Sequence, residues 1–230
     1  ADAPVYLWIT SDDVQLLDAS HLWGLSTEDA VDSIINERGK DCGVVSIGPA
    51  GENLVRFSMA FIDKTNSLGR SGLGAVMGSK NLKAIAVRGS TGIELSDPEG
   101  FMHSAEEKRQ KILQWPNRDH WINLGMGAGW STFIHTQYVG KWSKSKWDEL
   151  YGEPKRMETL DRVIGCNSCL LSCRVRWKIP NGEYKGEVGL GSPYGKSATS
   201  GQLLDIEDHR KTIHLVTIAN AAGIDFYTLT

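Results

Sequence analysis

Short apolar runs open the chain. Val5 to Ile9 (VYLWI) and Val14 to Leu17 flank the polar turn Ser11, Asp12, Asp13, the pattern of two strands joined as a hairpin. Ser26 precedes Asp29 by one helical turn and heads an apolar stripe of Ala30, Ile34 and Ile35, which predicts a capped helix ending near Gly39. Gly43 to Ile47 (GVVSI) reads as a buried strand, Gly48 to Gly51 (GPAG) as a turn, and Leu54 to Ile62 as the next extended segment. Ala84 to Val87 is a further strand. Asp97 and Pro98 then form the cap and first position of a helix running to about Leu113. Between Pro116 and Leu160 no period emerges. Trp115, Trp121, Trp130, Trp142 and Trp147 fall in or beside this stretch, either as core aromatics or as the wall of an aromatic substrate funnel, and the GMGAG run at Gly125 to Gly129 reads as a mobile loop. A last helix begins near Asp205, turns Ile206, Ile213, Val216 and Thr217 inward, and stops at Gly223. The pattern predicts an α+β chain, with a mixed β-sheet and helices first and a mainly helical part after it.

Composition narrows the class. The 230 residues suffice for one large domain or two small ones, and the 40% hydrophobic content is that of a soluble globular protein. A net charge of −3, with no basic run interleaved with aromatics, argues against a nucleic-acid surface. No apolar stretch approaches the length of a membrane span. Three of the 4 cysteines fall in one short segment, which suits a metal site in a reducing, cytoplasmic compartment better than a disulfide framework.

That segment is GCNSCLLSCR, Gly165 to Arg174. A C-x2-C pair followed by a third thiol offers Cys166, Cys169 and Cys173 to an iron-sulfur cluster, or, with His209 or His214, to a zinc ion. Cys42 opens a buried strand and reads as a small apolar residue. The histidines form no metal-binding pair, and His209 and His214 read as ordinary surface or interface residues. Arg174 and Arg176 place positive charge beside the thiols, where it would raise a cluster's potential, or they are solvated surface charge. A second stretch carries glycines at 69, 72, 74 and 78. Closely spaced glycines let backbone amides approach an anion, and Arg70 and Lys80 can add charge-assisted hydrogen bonds. The spacing excludes a Walker A loop, and the polar lead-in with an early following strand excludes a Rossmann fingerprint. A glycine-rich turn without any ligand remains the other reading.

GPAGENLVRFS at Gly48 to Ser58, the run GRSGLGAVMGSKNLKAIAVRG and CNSCLLSC together resemble the aldehyde:ferredoxin oxidoreductase family of tungsten or molybdenum pterin enzymes, which includes a benzoyl-CoA reductase branch. DASHLWG at Asp18 to Gly24 and AAGIDF at Ala221 to Phe226 extend the resemblance through nearly the whole chain. It implies a fragment. Residues 1–95 would be part of an N-terminal pterin-binding domain, and residues 96–230 the start of a mainly helical domain binding cluster and pterin. The implied cofactors are a tungstopterin or molybdopterin of two pterins, with magnesium bridging their phosphates, and a 4Fe-4S cluster. Cys166, Cys169 and Cys173 would be cluster ligands, with the fourth thiolate beyond Thr230. Gly69, Arg70, Ser71, Gly72, Leu73 and Gly74 would meet one pterin, and Asn220 and Asp225 the second. Ser71 stands where the family has glycine, so a strained or displaced loop is expected. Asn220 stands where the family has a carboxylate. Glu187 would handle protons beside the metal, or is an exposed loop carboxylate. The implied activity is oxidation of aldehydes to acids with ferredoxin or another electron-transfer protein as acceptor, or a related step on another small carbonyl or an aromatic thioester, in a homo-oligomer or a larger complex. A stand-alone iron-sulfur module and a zinc-stabilised, non-catalytic domain are the alternatives.

Overall fold

The computed structural model describes residues 1–64, 66–125, 142–191 and 193–229. The fold is α+β, in two compact units: Ala1–Thr91 together with the segment from Val216 onward, and Gly92–Leu215.

In the first unit β1 (Val5–Ile9) and β2 (Val14–Asp18) form the expected antiparallel hairpin. The other strands are β3 (Gly43–Ile47), β4 (Ala60–Ile62), β5 (Asn66–Ser67) and β6 (Leu82–Val87), and the sheet order is β2-β1-β6-β3-β4-β5. β6 pairs parallel with β1 and antiparallel with β3, so the sheet is mixed. Helix α1 (Thr27–Arg38) starts where Ser26 accepts a hydrogen bond from the Asp29 amide. Its Val31 and Ile34 join Tyr6, Trp8, Val44, Ala84 and Ala86 in one core. Alternation along the strands sends Val45, Ile47 and Ile85 into a second core, with Met77 and Leu73. Both faces of the sheet are therefore covered. Cys42 belongs to the first core, where burial pushes its thiol up, as a structural cysteine requires.

Three local expectations change. Gly48 to Gly51 does not form a simple turn, because Pro49–Glu52 is a short helix, α2. Leu54 to Ile62 is extended only at its end, since Leu54 has a left-handed φ of 59° and pairing begins at Ala60. Before β6 a helix α3 (Leu73–Gly78) intervenes.

The second unit begins with α4 (Pro98–Leu113), capped by Asp97 as expected and with no buried residue. Helices α5 (Arg118–Leu124), α6 (Lys144–Tyr151) and α7 (Glu153–Thr159) lead to the antiparallel sheet β7 (Leu160–Ile164), β8 (Arg174–Lys178) and β9 (Val188–Gly191). The helix expected from near Asp205 begins four residues later, at His209, and a further helix that the pattern did not predict precedes it. α8 (Pro193–Leu204) ends at left-handed Asp205, and Asp208 accepts from the Arg210 amide at the start of α9 (His209–Ala222). Trp142 and Trp147 do not line a funnel: both are buried in a cluster with Tyr151. Trp130 and most of the GMGAG run lie outside the described residues. Among the described residues no helix is long and apolar enough to cross a membrane.

Candidate functional site

The glycine stretch divides into two pairs with different tasks. Gly69 and Gly72 have left-handed backbones, with φ of 94° and 76°. Gly72 caps α3, and a Cβ on it would stand 2.5 Å from the Arg56 carbonyl oxygen, whereas Gly69 faces open space. Gly74 and Gly78 instead permit the close approach of α3 to α2. A Cβ at Gly78 would meet the Gly51 carbonyl at 2.0 Å, and one at Gly74 would meet the Ser58 hydroxyl at 2.7 Å. Ser71, expected to be strained, is absent from the left-handed positions, so the turn accepts a side chain there. Lys80 is exposed just past α3.

A short strut, Phe57 to Met59, ties this turn to the segment after α9. The Gly74 amide donates to the Ser58 carbonyl at 3.2 Å, the Met59 amide to Gly223 at 2.7 Å and the Asp225 amide to Phe57 at 3.0 Å. Gly223, with φ 79°, ends the helix. The Asn220 carbonyl accepts from the Thr27 hydroxyl at 3.0 Å. Asp225 is 2% exposed and accepts from Arg70 Nε at 2.7 Å, from the Thr228 hydroxyl and from the Tyr227 amide. Burial alone would raise its pKa, but the Thr228 hydroxyl and the Arg70 guanidinium more than offset this, and the carboxyl titrates below its ordinary range. Arg70 also donates to Thr228 Oγ1 at 2.9 Å and lies 5.8 Å from the Tyr227 ring centre, yet its side chain stays 62% exposed. Asp225 therefore fixes the guanidinium from beneath while the charge faces outward. A turn with open space at Gly69 and an anchored, outward arginine fits an anionic group.

In the second unit Cys166 and Cys169 are exposed and Cys173 is half-buried. Left-handed backbone at Ser168 and Ser172 shapes the loop. The amides of Leu171 and Ser172 hydrogen-bond the Cys169 sulfur and, with Arg174, lower its pKa, so the thiolate is favoured. Arg174 also donates to the Gly165 carbonyl at 3.4 Å. Arg176 forms an ion pair with Asp161. Among the described residues no three His, Cys, Asp or Glu side chains gather closely enough to hold one metal ion.

Glu187 is fixed by backbone hydrogen bonds, its amide donating to Tyr184 at 3.1 Å and its carbonyl accepting from Ile179 at 2.9 Å. Its carboxylate lies 2.7 Å from His214 Nδ1, and the His214 ring stacks on Tyr184 with centroids 3.8 Å apart. The sequence gives no sign of this pairing, since the partners stand 27 residues apart. His209 also departs from expectation: it is 6% exposed, packed edge-on against Tyr151, with burial pushing its pKa down.

Comparison with known proteins also divides the chain in two, with the segment after Val216 matched together with the second part. Residues 1–89 match the family model described as aldehyde ferredoxin oxidoreductase, N-terminal domain, and residues 116–230 match aldehyde ferredoxin oxidoreductase, domains 2 and 3. A tungsten-containing aldehyde ferredoxin oxidoreductase of Pyrococcus abyssi is 45% identical over all of this chain, which spans 38% of that relative's length. The WOR-like subunit of an aliphatic sulfonate oxidoreductase from Pyrococcus furiosus is 27% identical over 98% of this chain and 39% of its own. Among solved structures, the active-site complex of a benzoyl coenzyme A reductase superposes with a TM-score of 0.77 over 99% of this chain and 36% of that one, at 23% identity, a likeness of fold.

Proposed function

Because the chain belongs to the aldehyde ferredoxin oxidoreductase family, we propose that it is the part of a tungsten-pterin oxidoreductase that grips the pterin and carries most of the ligands of a 4Fe-4S cluster, for oxidation of aldehydes to acids with ferredoxin as acceptor. The observation that supports this most is the ion pair between Arg70 and Asp225, which joins two cofactor motifs 155 residues apart. When bound, the tungsten-pterin group supplies the two-electron chemistry. The chain supplies position and charge. Amides of the turn from Gly69 to Leu73, including that of Ser71, meet the anionic part of one pterin, Gly74 ties the turn to Ser58, Arg70 pairs with the anion, and Asp225 keeps Arg70 in place. Asn220, its carbonyl held by Thr27, presents its amide to the second pterin. Cys166, Cys169 and Cys173 hold three corners of the cluster as thiolates, favoured at Cys169 by the loop amides and Arg174. Glu187 accepts a proton released by the substrate. The exposed thiols suit a reducing cytoplasm.

Anaerobic purification of the natively expressed protein tests this reading. It predicts tungsten, pterin, iron and sulfide in the brown protein and aldehyde-dependent reduction of ferredoxin. Stoichiometric zinc in a colourless protein would refute it.

A further inference from the structure

Among groups outside the cofactor motifs, His214 has the most developed surroundings. Its Nδ1 lies 2.7 Å from Glu187 Oε2, and the two side chains are 25% and 24% exposed, so both reach solvent from a partly dry position. Tyr184 stacks on the imidazole at an interplanar angle of 14°, which keeps the ring from turning away from the carboxylate. Glu187 is held at both its amide and its carbonyl, so neither partner can drift. Among the described residues Nε2 makes no hydrogen bond, and it is the open end of the pair. A carboxylate on one nitrogen and an open second nitrogen is the arrangement that lets an imidazole take a proton on one side and release it on the other.

We propose that His214 is the proton outlet of Glu187: a proton taken up by the carboxylate crosses from Oε2 to Nδ1, and the imidazolium releases its proton from Nε2 to water. This rests on the reading of Glu187 given above. Loss of the Nε2 proton leaves the ring protonated at Nδ1, and exchange with water, one proton taken up at Nε2 and one released from Nδ1, returns the starting tautomer, so each cycle restores the Glu187 carboxylate and the neutral ring with no further reactant. The protons come from the substrate, since oxidation of an aldehyde to an acid consumes water and releases two protons along with the two electrons passed to ferredoxin. Glu187 faces the ring directly; Glu183, Glu187 and Asp208 act on its stacking partner Tyr184, Arg210 is bonded to Asp208, and Arg210 and Lys211 stand one turn before His214 on its own helix. Burial and the carboxylates of Glu183, Glu187 and Asp208 push the Tyr184 phenol up, so it stays neutral and leaves the proton to the imidazole. Asp208 is committed to Arg210. His214 is thereby a positioning and relay residue, and Tyr184 its support.

The variant His214→Gln separates relay from support, because an amide still donates to Glu187 but cannot pass a proton on. In the natively expressed holoprotein this variant should retain its tungsten and iron and lose about 100-fold in kcat with KM little changed, the scale of a positioned proton transfer. Added imidazole should restore a large part of the rate to His214→Ala. Nitrogen-15 shifts of the histidines supply a readout independent of turnover: wild type should show Nδ1 of His214 hydrogen-bonded, and Glu187→Gln should change it. An active wild type with His214→Gln at the same rate, or His214 shifts indifferent to Glu187→Gln, would overturn the relay alone. A wild type that holds tungsten but oxidises no aldehyde, or holds none, overturns the functional reading and the relay with it.

Discussion

The turn at Gly69–Gly74 and the loop at Cys166–Cys173, proposed above as cofactor sites, are built in opposite ways. The turn is anchored from far along the chain: its backbone bonds to the Phe57–Met59 strut, the strut bonds to Gly223 and Asp225, and Arg70 closes the circuit. The helices beside it pack glycine against glycine, and beneath α2 the Glu52 carboxylate, with side-chain exposure of 4%, pairs with fully buried Lys83 and accepts from the Gly24 amide. The cysteine loop is anchored locally, through the Cys169 amide to Cys166, the amides on its sulfur and Arg174 to Gly165. Under the proposed function, a site for a large rigid ligand would be fixed by the fold, and a site for a cluster would be left for the cluster to finish. This difference sets what each substitution should do.

The largest effect on stability belongs beneath the turn. Lys83→Met leaves Glu52 buried without its cation and should cost about 3–5 kcal/mol in urea denaturation, because burial of both partners removes water as a substitute. A loss under 1 kcal/mol would mean that the turn's foundation is softer than its contacts imply. Gly74→Ala should cost about 1–3 kcal/mol, since the new methyl would press on Ser58 and on the Met59 carbonyl at 2.9 Å. Asp225 links the turn to pH. Its folded pKa is depressed, so its contribution is complete above the unfolded carboxylate pKa of about 3.9 and vanishes as pH falls through the lower folded value. Asp225→Asn should accordingly flatten the acid limb of stability against pH, and equal acid limbs would contradict the role of Arg70 and Thr228. The cysteine loop should show the smallest structural effect. In protein freed of metal, Cys169→Ser should change stability by less than about 0.5 kcal/mol, because the side chain is exposed. In wild type, Cys169 should be alkylated well below the pH at which Cys42 reacts, as the first thiol is depressed and the second is raised and buried.

The same contrast explains what could be read in the sequence. The β1–β2 hairpin, the Ser26 and Asp97 caps and β3 depend on neighbours within a few residues, and each stands where the pattern put it. The cysteine loop is likewise local, so its spacing alone is enough to suggest the thiolate site proposed here. The turn was legible only as a cluster of glycines. That Gly74 and Gly78 serve helix packing while Gly69 and Gly72 shape the turn depends on contacts with Gly51, Arg56 and Ser58, which no local pattern encodes. Helix α2 escaped notice because GPAG carries turn residues, and its partner α3 supplies the packing that holds it. The start of α9 was placed too early because the run holds two aspartates, of which Asp205 ends the preceding helix and Asp208 begins the next. His209 looked like surface because burial by Tyr151 comes from a different helix.

Cofactor content in two single variants tests the division of labour most directly. Arg70→Ala should strip tungsten and pterin from the anaerobically purified protein while iron and sulfide remain, and Cys169→Ser should strip iron and sulfide while tungsten and pterin remain at half or more of wild type. Both variants losing both cofactors together, or Arg70→Ala keeping its full tungsten and pterin, would contradict the account.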